Sequence, residues 1–442
     1  MQNEPITRQE ILLNAVATGD VANLEPITRE EMFLAKLGGA DVTTPTPITR
    51  KEQFLQKAIE SGTSGGGGTP GGGGSSASVP WNDVTFIDYD GTVLHSYTLE
   101  EAQALTELPP LPEQKGLICQ GWNWSLEDIK AQGKVTVGAM YITDDGKTRI
   151  YITLREGRTS PMLGVCPKGT VTVDWGDGTE PDVLTGTSTS SVKWTPTHNY
   201  ASAGDYVISL SVDGTMGVNG VYSSWPYGGS NLLRYTTSSD QKNYVYQQAI
   251  TKVEFGDGVT SIGSIAFCSC RNLMSVTIPN GVTSIAERAF QGGYALKSVT
   301  IPKSSTSIGA QVLVGCYNLA SVAVPNGITS IGDQAFNDCS SLLSVVIPNG
   351  VTKLGLQTYS GCHFLTSLKL PNSLTRIGEN VFSYCYGVHS FDFSACTSVP
   401  TLQSTTAFSI LDDCQFLIPS ALFDEWSTAT NWTAYASYMV AV

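Results

Sequence analysis

The sequence has few charged residues, and most of those it has are acidic. Only 14% of its 442 residues are Asp, Glu, Lys or Arg, and 25 basic residues stand against 39 acidic ones. An acidic chain without a basic cluster lacks the side chains that neutralise phosphate groups. We therefore expect no nucleic-acid partner and no binding to anionic membranes. The 45 glycines favour a turn-rich, mainly β protein over a helical bundle.

Long apolar runs and catalytic motifs are also missing. No stretch is long and apolar enough to cross a bilayer, so we expect no membrane insertion. The start, MQNEPITRQEILL, lacks the features of a secretory signal, and we expect no export by that route. The chain has four histidines and no HExxH, P-loop or CxxC motif. We therefore expect no enzyme activity, no cofactor and no metal site.

Residues 1–61 contain three copies of one segment, PITRQEILL, PITREEMFL and PITRKEQFL. In each copy a threonine precedes a glutamate by three residues, which is the spacing of a helix capping box. The predicted helices are too short to be stable alone in water. The copies form either a small three-helix domain or three docking peptides that fold onto a partner. The predicted docking residues are Pro5, Ile6, Thr7, Arg8, Pro26, Ile27, Thr28, Arg29, Pro47, Ile48, Thr49 and Arg50.

Residues 79–160 open with a motif that has two interpretations. Asp88-Tyr89-Asp90-Gly91-Thr92 resembles the nucleophile motif of haloacid-dehalogenase phosphatases. The alternative is a β-hairpin with an Asp-Gly turn after Val84–Ile87. The hairpin is favoured, because the segment lacks the strand–helix alternation of a doubly wound sheet. A short helix capped by Thr98 follows. The segment also resembles modules of gut-bacterial prophage and surface proteins, which have no assigned chemistry.

Residues 161–213 resemble a PKD domain, an immunoglobulin-like β-sandwich, through VTVDWGDGT, HNY and AGDYVISLSV. That resemblance implies a spacer or a binding module. Asp174 and Asp177 fit either a tight turn or a calcium site, and the turn is the commoner role. His198 has no second His or Cys at ligand spacing, which indicates a turn residue.

Residues 214–249 form a predicted loop rich in glycine, serine and aromatic residues. A loop of this length is unusual in a compact domain unless it is functional or disordered. Its composition is typical of a binding surface, although packing against the next domain is an equal alternative. The candidate receptor-binding residues are Tyr222, Trp225, Tyr227 and Tyr235.

Residues 250–394 repeat every 23 residues, with proline at Pro279, Pro302, Pro325, Pro348 and Pro371. The unit L-x-x-[VL]-x-[IVL]-P-N-G-V-T-x-I-G-x-x-A-F-x-x-C resembles the BspA-type leucine-rich repeat. One unit cannot bury its apolar face alone, so we expect the units to stack into a curved solenoid with one short strand per repeat.

The predicted strands have an outward row of small polar residues, such as Ser275 and Thr277. This row is either a merely solvated surface or a nearly uncharged surface for a protein or a glycan. Its candidate receptor-binding residues are Thr300, Val346, Lys369 and Asp392.

A column of cysteines follows the same period, at Cys316, Cys339, Cys362 and Cys385. Neighbouring strands lie about 4.8 Å apart, which would permit bridging. Buried free thiols are favoured, because Gly293 holds the same position in one repeat.

Residues 395–442 break the period, and their tryptophans predict a helical cap over the last repeat. The sequence as a whole predicts a multidomain, mainly β protein. Its parts are N-terminal short helical repeats (1–61), a Gly-rich linker (62–78), a small α+β module (79–160), a PKD-like β-sandwich (161–213), an aromatic loop (214–249), a leucine-rich-repeat solenoid (250–394) and a helical C-terminal cap (395–442).

Three functions are compatible with this organisation. The favoured one is a bacteriophage or prophage virion protein of tail, baseplate or head fibre type. It would dock to other virion proteins through residues 1–61 and present the rest to a host cell-surface protein or glycan. The alternatives are a bacterial cell-surface adhesin of BspA type and a structural decoration protein of the virion. The sequence leaves open whether the chain is a homo-oligomer or binds a trimeric partner.

Overall fold

The computed structural model describes residues 83–219, 232–234, 248–411 and 413–442. The chain divides into two units, Met1–Ala77 and Ser78–Val442, and the described residues all belong to the second unit. The predicted docking repeats and the glycine-rich linker lie outside the described residues. The same holds for the loop candidates Tyr222, Trp225, Tyr227 and Tyr235.

A four-stranded sheet and two short helices form the first part of the second unit, which we call the module (residues 83–143). Its elements are β1 (Val84–Ile87), β2 (Val93–Tyr97), α1 (Leu99–Ala104), β3 (Leu117–Trp122), α2 (Leu126–Gln132) and β4 (Val135–Thr143). The strand order is β2-β1-β4-β3, with β1 parallel to β4 and the other pairs antiparallel. Phe86, Trp122 and Tyr141 lie in its own hydrophobic core.

The predicted hairpin and helix of the module are confirmed. β1 and β2 pair antiparallel, and Gly91 has a φ of 90° in the turn between them, where a side chain would be strained. Helix α1 begins at a capping box, in which Thr98 N donates to Glu101 Oε2 and Glu101 N donates to Thr98 Oγ1. Asp88 is buried in the turn and accepts a hydrogen bond from Gln114 Nε2. The DYDGT motif therefore has the local structure of a hairpin turn.

An antiparallel sheet of longer strands follows the module. Its strands are β5 (Thr148–Leu154), β6 (Met162–Asp174), β7 (Asp182–Thr187), β8 (Lys193–Trp194), β9 (Gly204–Val218) and β10 (Leu233–Arg234). The first half of β9 pairs with β5 and the second half with β6, which also pairs with β7, β8 and β10.

Strand β5 differs from its predicted place. The sequence analysis assigns it to the module, but Ile150 and Ile152 lie in the core of the second sheet, whereas β4 lies in the module core. The boundary therefore falls at the turn of residues 144–147, where the chain leaves one sheet for the other.

The second sheet is continuous with the solenoid. β11 (Ile250–Glu254) pairs antiparallel with β5, and β12 (Val259–Ile262) pairs parallel with β9. One hydrophobic core runs from β5 to the C-terminal residues. The sheet and the solenoid are therefore one body and not the two separate domains that the sequence predicts, because the sheet covers apolar side chains that the first repeat would otherwise expose.

The turns of the solenoid have two short strands and not one as predicted, except that at residues 344–346 the bridge between Ser321 and Ser344 stands in place of one strand. We call the two parallel series the front row, which begins with β11, and the back row, which begins with β12. The front row continues through β13 (Ser275–Thr277), β15 (Ser298–Thr300), β17 (Ser321–Ala323), β20 (Ser367–Lys369) and β22 (Ser390–Asp392). The back row continues through β14 (Ser284–Ile285), β16 (Ser307–Ile308), β18 (Ser330–Ile331), β19 (Lys353–Leu354), β21 (Arg376–Ile377) and β23 (Thr401–Leu402).

A ladder of polar side chains links neighbouring turns outside the core. Arg288 Nε donates to Gln311 Oε1, Gln311 Nε2 donates to Gln334 Oε1, and Gln334 Nε2 donates to Gln357 Oε1 at 2.6 Å. All four residues have φ between 52° and 58°. A left-handed backbone costs a non-glycine residue about 1 kcal/mol or more, and the ladder helps to offset that cost in each turn.

The four cysteines of the column are buried free thiols, which confirms the favoured interpretation. Each Sγ donates to a carbonyl oxygen of the preceding turn, as Cys316 does to Phe290 O at 3.3 Å and Cys385 to Tyr359 O at 3.1 Å. Burial raises the pKa of both thiols to about 12.

The C-terminal segment seals the last turn, and it does so mostly with strands and 3₁₀ turns. Its elements are β24 (Gln415–Ile418), a 3₁₀ turn (Ser420–Leu422), α3 (Phe423–Thr428), a 3₁₀ helix (Trp432–Tyr438) and β25 (Met439–Ala441). β24 and β25 extend the front row in parallel beyond β22. The predicted helical cap is therefore only partly helical. Trp426 and Trp432 are fully buried, and Trp432 lies edge-on to Phe393 at 5.4 Å.

We expect the cysteine column to resist alkylation in the native protein. Burial excludes the reagent, and the raised pKa values keep the thiols protonated at mildly alkaline pH. Iodoacetamide followed by peptide mass spectrometry should leave Cys316, Cys339, Cys362 and Cys385 unmodified until a denaturant is added. Rapid labelling of any of the four without denaturant would contradict this arrangement.

The substitution Trp432→Ala should destabilise the C-terminal end by about 3–5 kcal/mol, because it removes a fully buried ring and the hydrogen bond from Nε1 to Pro400 O. A lower guanidinium midpoint, followed by circular dichroism, checks this. The control Trp432→Phe keeps an aromatic ring and should lose less. Equal midpoints for the wild type and Trp432→Ala would contradict the sealing role.

Candidate ligand-binding face

The outward side of the front row has a covered part and an open part. In β13 and β15 the outward-facing side chains are buried, with Thr277 1% and Thr300 4% exposed. The sequence analysis expects both to face solvent. They do not, because strand β4 of the module packs across β13, β15 and β17.

Asn123 and Trp124, just after β3, attach the module to the solenoid. Asn123 Nδ2 donates to Ile301 O at 3.1 Å and to Ala323 O at 3.0 Å, and Trp124 Nε1 donates to Val324 O at 2.8 Å. Asn123 Oδ1 accepts from Gly138 N, which fixes the amide orientation. Other polar contacts flank this point, from Ser298 Oγ to Tyr89 O, from Asn280 N to Gln120 Oε1 and from Asn326 Nδ2 to Asp128 Oδ1.

Thr300 is therefore not an exposed receptor-binding residue. It lies under Gly138 of β4, and its hydroxyl is buried without a hydrogen-bond partner among the described residues. The close approach of the two backbones accounts for its burial, since glycine is the only residue that fits at position 138 without displacing Thr300 and Ala323.

The open part of the front row begins at Val346, which is half-buried against the module core. Lys369 is exposed and Asp392 is half-buried, and the two are partners in the β20–β22 register. The structure thus brings three of the four predicted strand residues into one row.

Two residues of this row were missed by sequence reasoning. Leu417 pairs in register with Asp392, and Val440 pairs with Leu417 and is 38% exposed. The 23-residue period ends before them, and the β24 sequence QFLI has no polar–apolar alternation that would mark Leu417 as outward-facing. We call Val346, Lys369, Asp392, Leu417 and Val440 the open row.

A cleft of about 440 Å³ lies where the module ends and the open row begins, and we call it the lateral cleft. Gln132 of α2 lines it, is 5% exposed and has an Oε1 atom without a partner among the described residues. Its wall residues are Asp83, Gln132, Lys134, Val135 and Thr136 from the module and Leu343, Ser344, Val345, Val346, Thr366 and Lys369 from the solenoid.

A larger groove of about 660 Å³ lies between the proline-rich segment of the module and the solenoid loops around Pro325. Its main polar groups already have partners, since Trp122 Nε1 donates to Pro109 O and Asn326 Nδ2 donates to Asp128 Oδ1. The side-chain N–H groups of Trp122 and Asn326 are therefore not available to bind a ligand in the groove.

A column of ring side chains at 23-residue spacing was also missed. Its members are Tyr294, Tyr317, His363 and Tyr386, with Ser340 between the second and the third. The rings of Tyr294 and Tyr317 lie 5.0 Å apart, and those of His363 and Tyr386 are stacked at 6.1 Å. The column could have been predicted from the 23-residue period, because each of its members occupies the same position in its repeat.

The predicted turn residues of the second sheet form a small polar cluster. Asp174 and Asp177 accept backbone hydrogen bonds from Gly176 and Thr179 within their own turns. His198 Nε2 lies 2.8 Å from Asp177 Oδ2. Partial burial would raise the pKa of Asp177, but the hydrogen bonds from Thr179 and His198 outweigh it and hold the pKa below its ordinary value.

Neither a metal cluster nor a membrane span is found within the described parts of the chain. No group of three or more His, Cys, Asp or Glu side chains there is arranged to hold a metal ion. No helix among the described residues is long and apolar enough to cross a bilayer.

Comparison with protein families accounts for the solenoid. The model of the BspA type leucine-rich repeat region matches residues 239–364 and 306–415. The solenoid is a BspA-type leucine-rich repeat region. No family match supports the PKD resemblance of residues 161–213, and no curated protein matches the chain.

Several solved structures are similar to the leucine-rich repeats. A leucine-rich repeat protein of Treponema pallidum is 34% identical over 30% of this chain and 61% of its own, with a TM-score of 0.28. A leucine-rich cell surface protein of Faecalibacterium prausnitzii is 23% identical over 37% and 64%, with a TM-score of 0.20. A leucine-rich repeat protein of Bacteroides ovatus is 21% identical over 52% and 81%, with a TM-score of 0.30. The chain thus spans less than two thirds of the first two proteins, and these comparisons give a virion origin no support.

The substitution Gly138→Ala should loosen the module from the solenoid. The new Cβ would overlap Thr300 Oγ1 and lie 2.6 Å from Thr300 Cγ2 and 2.9 Å from Ala323 Cβ. Overpacking of this kind costs about 1–3 kcal/mol. Hydrogen exchange should accelerate at the Asn280 amide, which donates to Gln120 of the module.

Gly327→Ala is the matched control, because the nearest atom to its new Cβ would lie at an ordinary 3.6 Å. Exchange at Asn280 that is unchanged in Gly138→Ala, or equally fast in both variants, would show that the module is not held at this contact.

Proposed function

We propose that the protein is a non-enzymatic binding protein of the bacterial cell surface, an adhesin of BspA type. The observation that carries the proposal is that the outward side of the front row has a covered part and an open part. The module fills the outward side of the early repeats, while in the open row beyond it Lys369 and Val440 are exposed and the other three side chains are partly exposed. Repeat arrays commonly use such extended surfaces to bind partners.

The chemistry of the open row indicates the kind of partner. Leu417 and Val440 are apolar neighbours, with one positive and one negative residue beside them. The segment 250–400 holds eight basic and seven acidic residues, so it has almost no net charge. Recognition would therefore depend on apolar contact and hydrogen bonding with a host cell-surface protein or glycan, with little long-range electrostatic steering.

The cell surface is proposed in preference to a virion. The F. prausnitzii protein is described as a cell surface protein, and we extend that location to this chain as part of the proposal. The virion hypothesis depends on residues 1–61 as docking peptides, and these lie outside the described residues. Antibody labelling of intact bacteria and of purified particles distinguishes the two locations.

We expect the double variant Leu417→Asp with Val440→Asp to reduce binding to epithelial cells and to immobilised extracellular-matrix proteins by about tenfold or more. Two charges placed in an apolar contact must be desolvated when a partner binds. The measurement is retention of beads that carry the full chain.

The control Val183→Asp makes the same change on β7 of the second sheet, where Val183 is 61% exposed, and should bind like the wild type. Beads that carry the wild-type chain and bind to none of these surfaces would contradict an adhesive function. Full binding by the double variant would exclude the open row as the contact surface.

A further inference from the structure

The lateral cleft differs from the rest of the open row, because it combines several neutral polar groups with a lysine that has no ion-pair partner among the described residues. It lies between α2 and β4 of the module and the fifth and sixth turns of the solenoid. Both parts of the unit must be present to form it. Its volume of about 440 Å³ lies within the range of small-ligand sites.

Three charged residues line the cleft, and two of them, Lys134 and Asp83, neutralise each other. Lys134 Nζ lies 3.1 Å from Asp83 Oδ1, and the two form an ion pair. Burial would raise the pKa of Asp83, but the hydrogen bonds from Lys134 and from Leu99 N outweigh it and keep the carboxylate ionised. Lys369 is exposed, and no ion pair is found for it among the described residues. Its register partner Asp392 instead accepts from Ser394 N at 2.9 Å.

The neutral groups of the cleft are hydroxyls and an amide. Thr136 and Ser344 lie on opposite walls, and Thr366 adds a third hydroxyl beside Lys369. Gln132 is the most informative, since its side chain is 95% buried and its Oε1 lacks a donor. A buried carbonyl oxygen without a donor is costly, and a ligand hydroxyl or N–H would satisfy it.

We propose that the lateral cleft binds an acidic carbohydrate, a sugar that bears a carboxylate beside its hydroxyls. The proposal rests on the proposed function and names its ligand class. Lys369 takes the carboxylate, Gln132 accepts from a hydroxyl or an acetamido N–H, and the threonine and serine hydroxyls bond to the remaining oxygens. Val346 and Leu343, which is 40% exposed, contact the C–H face of the ring.

A peptide carboxylate would use the same lysine but fits the cleft less well. Peptide recognition depends on anchoring side chains in apolar or aromatic pockets. Among the described residues no aromatic side chain lines this cleft, and seven of its eleven wall residues carry hydroxyl, amide or charged groups. Groups that both donate and accept suit the many hydroxyls of a sugar.

The test uses the full chain and ligand-observed NMR titration with glucuronic acid, N-acetylneuraminic acid, glucose and a short peptide with a free C-terminal carboxylate. We expect at least one acidic sugar to bind with a Kd of about 1 mM and glucose to bind at least about tenfold more weakly. The variant Lys369→Glu should weaken the acidic sugar by at least about tenfold. Lys353→Glu is the matched control, because Lys353 is an exposed lysine of the back row, and it should bind like the wild type.

The outcomes separate this inference from the proposed function. Absence of binding by both acidic sugars, equal binding of glucose, or equal affinity in wild type and Lys369→Glu would each overturn the inference. Binding of the peptide alone, lost in Lys369→Glu, would assign the cleft to a peptide and also overturn it. If the beads adhere to cells but Lys369→Glu has no effect on the sugars, the inference fails and the adhesive function stands. If the sugar result holds but no cell surface is bound, the adhesive function fails and the sugar site stands.

Discussion

Each turn of the solenoid buries its apolar side chains only against the turns on either side, and the rest of the unit depends on that constraint. The stack must therefore be closed at both ends. At the N-terminal end, β5 pairs with the first front strand and β9 with the first back strand, so one antiparallel pair closes both rows. At the C-terminal end, two further front strands and the buried Trp426 and Trp432 close the other side.

The module packs on the early part of the front row. Its contacts with the front row include polar pairs to the main chain, such as Trp124 Nε1 with Val324 O, and a close backbone approach at Gly138. The open row is consequently much shorter than the number of repeats suggests. It is also bordered by residues from a different part of the chain, which create the lateral cleft.

The features that are local in sequence could be predicted, and those that depend on distant contacts could not. The 23-residue period, the inward-pointing residues, the Asp-Gly hairpin and the capping box of Thr98 all follow from spacings no longer than one repeat, and the structure has them. The burial of Thr300 depends on residues more than 150 positions earlier in the chain, and no pattern in its own repeat signals it. Strand β5 was misplaced for a related reason, because its partner β9 lies more than 50 residues later. In the open row, Leu417 and Val440 were not predicted, because the 23-residue period ends before these two residues are reached.

The double hydrogen bond of Asn123 has a mechanical consequence. Its single amide nitrogen bonds to carbonyl oxygens of two successive turns, at Ile301 and Ala323. A change in the rise or the bend between those turns would lengthen at least one of the two bonds. The module thus acts as a brace that fixes the curvature of the early repeats, while the turns beyond Val346 are held by their own stacking and, at their end, by the C-terminal segment. A tensile load on the unit would therefore be absorbed first by the unbraced turns, which are the ones that carry the open row.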